Sequence, residues 1–186
     1  LKRAFFALWP DGAWSSRLIE AAAAPVRAAG GRALARVDLH VTLCFLGAVG
    51  EAQLAALCER VGQVQAPSFE LLFDRLELWR EARILAATAA HVPPAGLALA
   101  QMLAAAAREL GLTPDARAWR PHLTLVRGAT APGLPADVDA AERPALQLLL
   151  PVSRFYLAQS QELGRQPDGA VEPRRYHTLA SWPLNP

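Results

Sequence analysis

Two segments of the chain nearly repeat each other: His40-Val41-Thr42-Leu43 and His122-Leu123-Thr124-Leu125, one in each half of the 186 residues. In a β-strand, side chains two positions apart share a face. Each segment therefore offers one imidazole and one hydroxyl on a common surface, with Val41, Leu43, Leu123 and Leu125 turned toward a core. Neutral imidazole has one donating and one accepting nitrogen, and it titrates near pH 6.5. Two imidazoles on opposite sides of a reactive centre supply a general acid and a general base together. The threonine hydroxyls can donate to non-bridging oxygens of an anion held between them. Phosphoryl transfer suits such a site, because catalysis there rests on positioning and charge stabilisation. A lone His-x-Thr would be read as a strand histidine with a backbone or water partner; two matching tetrapeptides point to function. The sequence around them shows no carboxylate constellation resembling a metal cage. A metal-free acid–base reaction on a phosphoester is expected, with no cofactor. One histidine activates water and the other protonates the departing oxygen, and the residues leave open which does which.

The elements that must position these groups follow from periodicity and punctuation. Residues 3–9 read as a buried strand, and Asp11 is placed to cap a helix running to about residue 29, ended by Gly30-Gly31. An arginine-bearing loop (Arg32, Arg36) leads to the first His strand, roughly 39–46, and Gly47 and Gly50 flank a turn. Leu54, Leu57, Cys58 and Val61 recur at helical spacing. Residues 69–79 read as one strand and 83–90 as another. A third helix spans about 95–110, with Gly111 just past its end. The second His strand covers about 121–127. A short helix is expected near 134–141, then one strand run over 146–159 bent near Pro151, a loop over 164–173 and a last strand over 176–182. Strands and helices mix without strict βαβ alternation, which favours α+β over a doubly wound parallel sheet.

Composition narrows the classes further. At 53% hydrophobic and 19% charged residues, with a formal charge of +2, the chain reads as a soluble globular protein and not as a general polyanion binder. No apolar run is long enough to span a bilayer. The basic-then-apolar start is cut short by Pro10-Asp11-Gly12, so it reads as a strand, not a secretory leader. Leu1 in place of Met leads us to expect a slightly trimmed start. Cys44 and Cys58, with no CxxC or Cys/His cluster, read as free thiols in a reducing cytosol. A cytoplasmic monomer is expected. His91 and His177 stand outside His-x-Thr segments and read as ordinary surface or loop residues. The basic residues are 18 Arg and one Lys. Composition bias explains most of them, while Arg36, Arg117, Arg120 and Arg127 lie close enough to the motifs to be weighed individually.

The two motifs, with Phe45-Leu46-Gly47 after the first and Arg120-Pro121 before and Arg127 after the second, resemble the 2H phosphoesterase superfamily. Within it they resemble the bacterial and archaeal RNA 2′,3′-cyclic phosphodiesterase family, also called 2′-5′ RNA ligase or LigT-like. The likeness extends to the opening strand Arg3 to Leu8 and to the closing Trp182-Pro183-Leu184. It implies a single bilobal α+β domain over 1–186, with two antiparallel-rich sheets facing a central cleft and helices outside. It also implies hydrolysis of an RNA 2′,3′-cyclic phosphate to a terminal 2′-phosphate, without metal. His40 would then be the proton donor and His122 the acceptor, with Thr42 and Thr124 on phosphate oxygens. The implied partners are RNA 3′ ends or nucleotides bearing a 2′,3′-cyclic phosphate, tRNA halves among them, and no membrane. Reversible 2′-5′ RNA ligation in the same site, a nucleotide-binding module without turnover and smaller cyclic substrates are the alternatives.

Phe45 and Arg127 each follow their histidine by five residues. The resemblance implies that they hold a base between them, a known mode for single-stranded RNA ends. Strand parity, however, places both on the face opposite the histidines. They reach the ligand only if the strands end or bulge, which Gly47 and Gly128 permit. Core packing is the alternative for Phe45. Cys44 falls by the same parity on the face of His40 and Thr42.

Overall fold

Strand β1 (Lys2–Leu8) is buried on both faces from Ala4 onward, and this double burial seats it inside a sheet instead of at an edge. The computed structural model describes residues 1–130, 146–161 and 175–186. The described elements run β1, α1 (Gly12–Ala21), α2 (Ala23–Ala29), β2 (Arg32–Ala33), β3 (Val41–Val49), α3 (Glu51–Val61), β4 (Phe69–Phe73), β5 (Arg75–Trp79), β6 (Ile84–Thr88), α4 (Pro94–Glu109), β7 (His122–Arg127), β8 (Leu148–Val152), β9 (Arg154–Ser160) and β10 (Tyr176–Pro183). The fold is α+β with antiparallel strand pairing, as the sequence indicates. The helix expected near 134–141 and the loop over 164–173 fall outside the described residues.

Among the described residues, eight strands form one sheet in the order β10-β9-β1-β3-β7-β6-β5, with β2 also on β7; β4 and β8 form a separate pair. The two halves of the chain are thus joined through β3 and β7. The joint is narrow: β3 meets β7 through the single register pair Val41–Leu123. One group of four strands carries the first His segment, and the other carries the second. Phe6, Cys44, Leu46, Leu85, Leu123, Val126, Phe155 and Leu157 belong to the main core on one side of the sheet. On the other side Phe5, Ala7 and Ala158 form a small second cluster with Trp9 and Tyr176 packed against it.

Several boundaries differ from expectation for local reasons. The 11–29 helix is two helices broken at Ala22, because Pro25 lacks the N–H that would bond to the carbonyl of residue 21. Asp11 does cap the first: its carboxylate accepts from Trp14 N at 2.7 Å. The 69–79 run is split at Asp74, before which it pairs with β8 and after which it pairs with β6. The 146–159 run likewise divides at Ser153, so β8 and β9 serve different sheets. Among the described residues no helix is long and apolar enough to cross a membrane.

Candidate active site

The register of the two His strands decides which side chains share a surface. β1 pairs with β3 as Phe6–Cys44 and then Ala7–Thr42, so Leu43 is an extra residue on β3. β6 pairs with β7 as Leu85–Val126 and then Ala86–Thr124, so Leu125 is an extra residue on β7. Each motif thus carries a β-bulge at the same place, the leucine after the threonine. A bulge reverses the alternation beyond it. Phe45 and Arg127 therefore share the face of His40, Thr42, His122 and Thr124, which simple parity had denied them. These two bulges lie at Leu43 and Leu125, and a further register shift on β3 falls at Leu46, between Phe45 and Gly47. The same reversal sends Cys44 into the core, a correction to its expected place beside Thr42. Burial there pushes its thiol up to about 11, so it stays protonated at neutral pH.

Bulges leave backbone groups outside the ladder, and here they find partners. Trp119 Nε1 donates to the Thr42 carbonyl at 2.9 Å, Asp115 N to the Phe45 carbonyl at 3.2 Å, and Leu34 N to the Leu125 carbonyl at 2.9 Å. These bonds fix both irregular segments in place.

An antiparallel register through Val41–Leu123 sets His40 opposite Thr124 and Thr42 opposite His122. The motifs are related by a local twofold at that pair, with an imidazole and a hydroxyl on each side. Neighbouring strands lie ~5 Å apart and alternate residues ~7 Å apart, which suits a phosphate-sized group between two imidazoles.

The histidines are held in the same way. His40 Nδ1 donates to the Asp38 carbonyl at 2.7 Å and His122 Nδ1 to the Arg120 carbonyl at 2.8 Å, in each case two residues upstream. A carbonyl only accepts, so Nδ1 carries the proton and Nε2 is left for chemistry. Both imidazoles are depressed. Desolvation, then the Arg127 and His122 charges, lower His40 to about 4 against the upward pull of the Asp38 carbonyl. His122 is lowered by burial and by Arg120, Arg127 and Arg117, again against its backbone bond. Each ring is neutral at pH 7 without a bound anion.

The surroundings contain residues that sequence reasoning missed. Trp9 stacks on His40 at 4.9 Å and 28°, Tyr176 meets it edge-on at 4.5 Å, and Phe5 lies 5.1 Å away. Long-range pairing of β9 and β10 with β1 brings these rings in; the one local hint was the apolar Phe5 on the outer face of the opening strand. Across the joint, Trp79 packs on His122 at 4.7 Å. Arg120 lies over the Trp79 ring at 4.6 Å and is ion-paired with Glu77. Glu77 also accepts from Trp79 Nε1 at 2.7 Å and Thr88 Oγ1 at 3.0 Å. Burial raises the Glu77 carboxyl, but these bonds outweigh it and hold it below the usual range. Arg120 is thus a brace beside His122, while Arg117 pairs with Asp115 and Arg36 donates to the Gly12 carbonyl at 3.2 Å.

A cavity of about 330 Å³ is lined by Arg3, Phe5, His40, Thr42, Phe45, Arg127, Ser160, Gln161, Arg175 and Tyr176. Phe45 is 36% exposed and so is not a core residue. Arg127 Nη2 lies 3.5 Å from the Tyr176 hydroxyl, linking the second His strand to the last strand. His122 and Thr124 are not among the residues lining this cavity. His91 is exposed, and His177 is bonded to Gln161 on the surface. Among the described residues no group of three or more His, Cys, Asp or Glu is placed to hold a metal ion.

Residues 9–163 match the 2′-5′ RNA ligase superfamily. The chain is 31% identical over 185 residues to the RNA 2′,3′-cyclic phosphodiesterase of Escherichia coli (strain K12), covering 98% of this chain and 97% of that protein. It is similar in structure to E. coli LigT complexed with 3′-AMP, with a TM-score of 0.81 and 28% identity over 98% of each chain. TT0787 of Thermus thermophilus is similar as well, with a TM-score of 0.72 and 26% identity over 98% of this chain and 97% of that one. The chain belongs to the 2′-5′ RNA ligase superfamily.

Proposed function

We propose that this protein is a cyclic phosphodiesterase that opens an RNA 2′,3′-cyclic phosphate to a terminal 2′-phosphate, using His40 and His122 as acid and base. The observation that carries this reading is the matched pair of Nδ1–carbonyl bonds, which leaves the Nε2 atom of each imidazole available for chemistry on the face that carries Thr42 and Thr124. The activity named for the E. coli relative and the 3′-AMP held by LigT support a nucleotide substrate.

In this mechanism His122 Nε2 takes a proton from water, whose oxygen attacks phosphorus in line with the P–O3′ bond. That bond breaks, and His40 Nε2 gives its proton to the departing O3′. The two threonine hydroxyls donate to the non-bridging oxygens, and Arg127 adds positive charge beside both rings. His40 must be protonated in the complex although it is neutral in the free protein. The bound anion supplies that shift, and the face of Trp9, stacked on the His40 ring, favours an imidazolium. The donor and acceptor roles follow the family resemblance, since the twofold arrangement permits either order. The same atoms run backwards when an RNA 5′-hydroxyl replaces water, so 2′-5′ ligation is the second reading, favoured by the superfamily match.

The test is turnover of a nucleoside 2′,3′-cyclic phosphate by wild type, His40→Ala and His122→Ala, with and without EDTA. Each variant should lose at least ~100-fold in kcat, the usual scale for removing a general acid or base, and EDTA should change nothing. Near-full activity in either variant would overturn the assignment.

A further inference from the structure

We infer that the cavity beside His40 binds a second anionic group of the substrate, the phosphodiester on the 5′ side of the reacting ribose, through Arg3 and Arg175. This rests on the hydrolase reading above and deepens it by naming the residues that hold the RNA chain next to the reacting nucleotide. The first ground is charge. A nucleoside 2′,3′-cyclic phosphate brings one negative charge, and Arg127, whose field reaches both imidazoles, already supplies a positive charge beside them. Arg3 and Arg175 line the same cavity, and no Asp or Glu is among its described lining residues. The cavity therefore holds more positive charge than the reacting group needs. Guanidinium groups match phosphate oxygens in a bidentate fork.

The second ground is placement. Arg3 pairs across the sheet with Ser160, and Ser160 pairs in turn with Tyr176. Arg3, Ser160 and Tyr176 thus form one rung across β1, β9 and β10, on the face that carries Phe5. Arg3 stands two residues from Phe5, roughly 7 Å along the strand, and its guanidinium lies 5.5 Å over the Phe45 ring. Arg175 adjoins Tyr176, and its carbonyl accepts from Gln161 N at 2.9 Å, which fixes the backbone at that wall. Each arginine thus stands one or two residues along the chain from a ring that packs on His40, and not on His40 itself. A phosphate attached through the 5′ oxygen of the reacting nucleotide is likewise offset from its 2′,3′-phosphate by a ribose.

The experiment compares three substrates: adenosine 2′,3′-cyclic phosphate, its 5′-phosphorylated form, and the dinucleotide ApA ending in a 2′,3′-cyclic phosphate. Wild type should show a KM roughly tenfold or more lower for both substrates that carry the 5′ phosphate group, the scale of a charge-assisted contact. In Arg3→Gln and Arg175→Gln this preference should shrink toward one. Equal KM for all three substrates in wild type would overturn the proposal. So would a gain for the dinucleotide alone, which would mean the added nucleoside and not the phosphate is recognised. A variant that weakens all three substrates equally, keeping the preference, would also contradict it, because that is the signature of a general loss of structure. No turnover of any substrate by folded wild type would instead remove the hydrolase reading itself.

Discussion

Lowering the pH from 7 to 5 should destabilise this protein through His40 specifically. In the folded protein its ring is held down to about 4, first by burial and then by the Arg127 and His122 charges. In the unfolded chain it titrates near 6.5. Between these values the unfolded state binds a proton that the folded state refuses, so stability is fully present above about pH 6.5 and falls as the pH drops toward 4. The whole window amounts to about 3 kcal/mol, of which about 2 kcal/mol is lost by pH 5. His122 is shifted in the same direction and adds to the slope. His40→Gln keeps a polar side chain of similar size but cannot titrate. Urea unfolding of wild type and His40→Gln at pH 7, 6 and 5 isolates the contribution, because every other ionising group is common to both. The midpoint of wild type should fall more steeply than that of the variant, and the His40 ring proton should titrate far below pH 6.5 by NMR. Parallel pH dependences, or a His40 titration near 6.5, would refute the burial and charge argument.

Three further outcomes follow from contacts around the site. Phe45→Ala should raise KM about tenfold with kcat little changed, since base–aromatic stacking is worth about 1–3 kcal/mol; steady-state kinetics on a cyclic nucleotide checks this. Glu77→Gln places an amide donor where Trp79, Thr88 and Arg120 all donate, loosening the brace on His122. It should cost about 1–3 kcal/mol of stability and lower kcat roughly tenfold at similar KM, read from melting curves and initial rates. Gly31 has φ +77, and a Cβ there would lie 2.6 Å from the Arg127 carbonyl oxygen. Gly31→Ala should therefore cost at least about 1–2 kcal/mol, seen as a lowered urea midpoint, and should disturb Arg127 through its pairing with Arg32.

The pairing of an imidazole with a hydroxyl in each segment was legible because His-x-Thr needs only local alternation to put two groups on one face. Helix ends were legible for the same reason: Asp11, Gly30 and Gly111 act within a few residues of themselves. What lay beyond reach depended on partners distant in sequence. A strand bulges where its neighbour's register requires it, so Leu43 and Leu125 carry no local mark, and parity misplaced Cys44 while leaving Phe45 and Arg127 unexplained. The 69–79 run changes partner at Asp74 from β8 to β6, and nothing in its own alternation announces that change. The aromatic wall around His40 is assembled from Phe5 on β1, Trp9 just after it and Tyr176 on β10, brought together because β1 and β10 both pair with β9. The narrow joint at Val41–Leu123 is likewise a property of the paired sheet.

The central claim is that two imidazoles, one from each half of the chain, open a cyclic phosphate toward the 2′ side. Phosphorus NMR of the products formed from a nucleoside 2′,3′-cyclic phosphate tests it most directly. A single new resonance belonging to the 2′-monophosphate is expected, absent with His40→Ala and with His122→Ala. Formation of the 3′-monophosphate, or a persisting product signal in either variant, would contradict it.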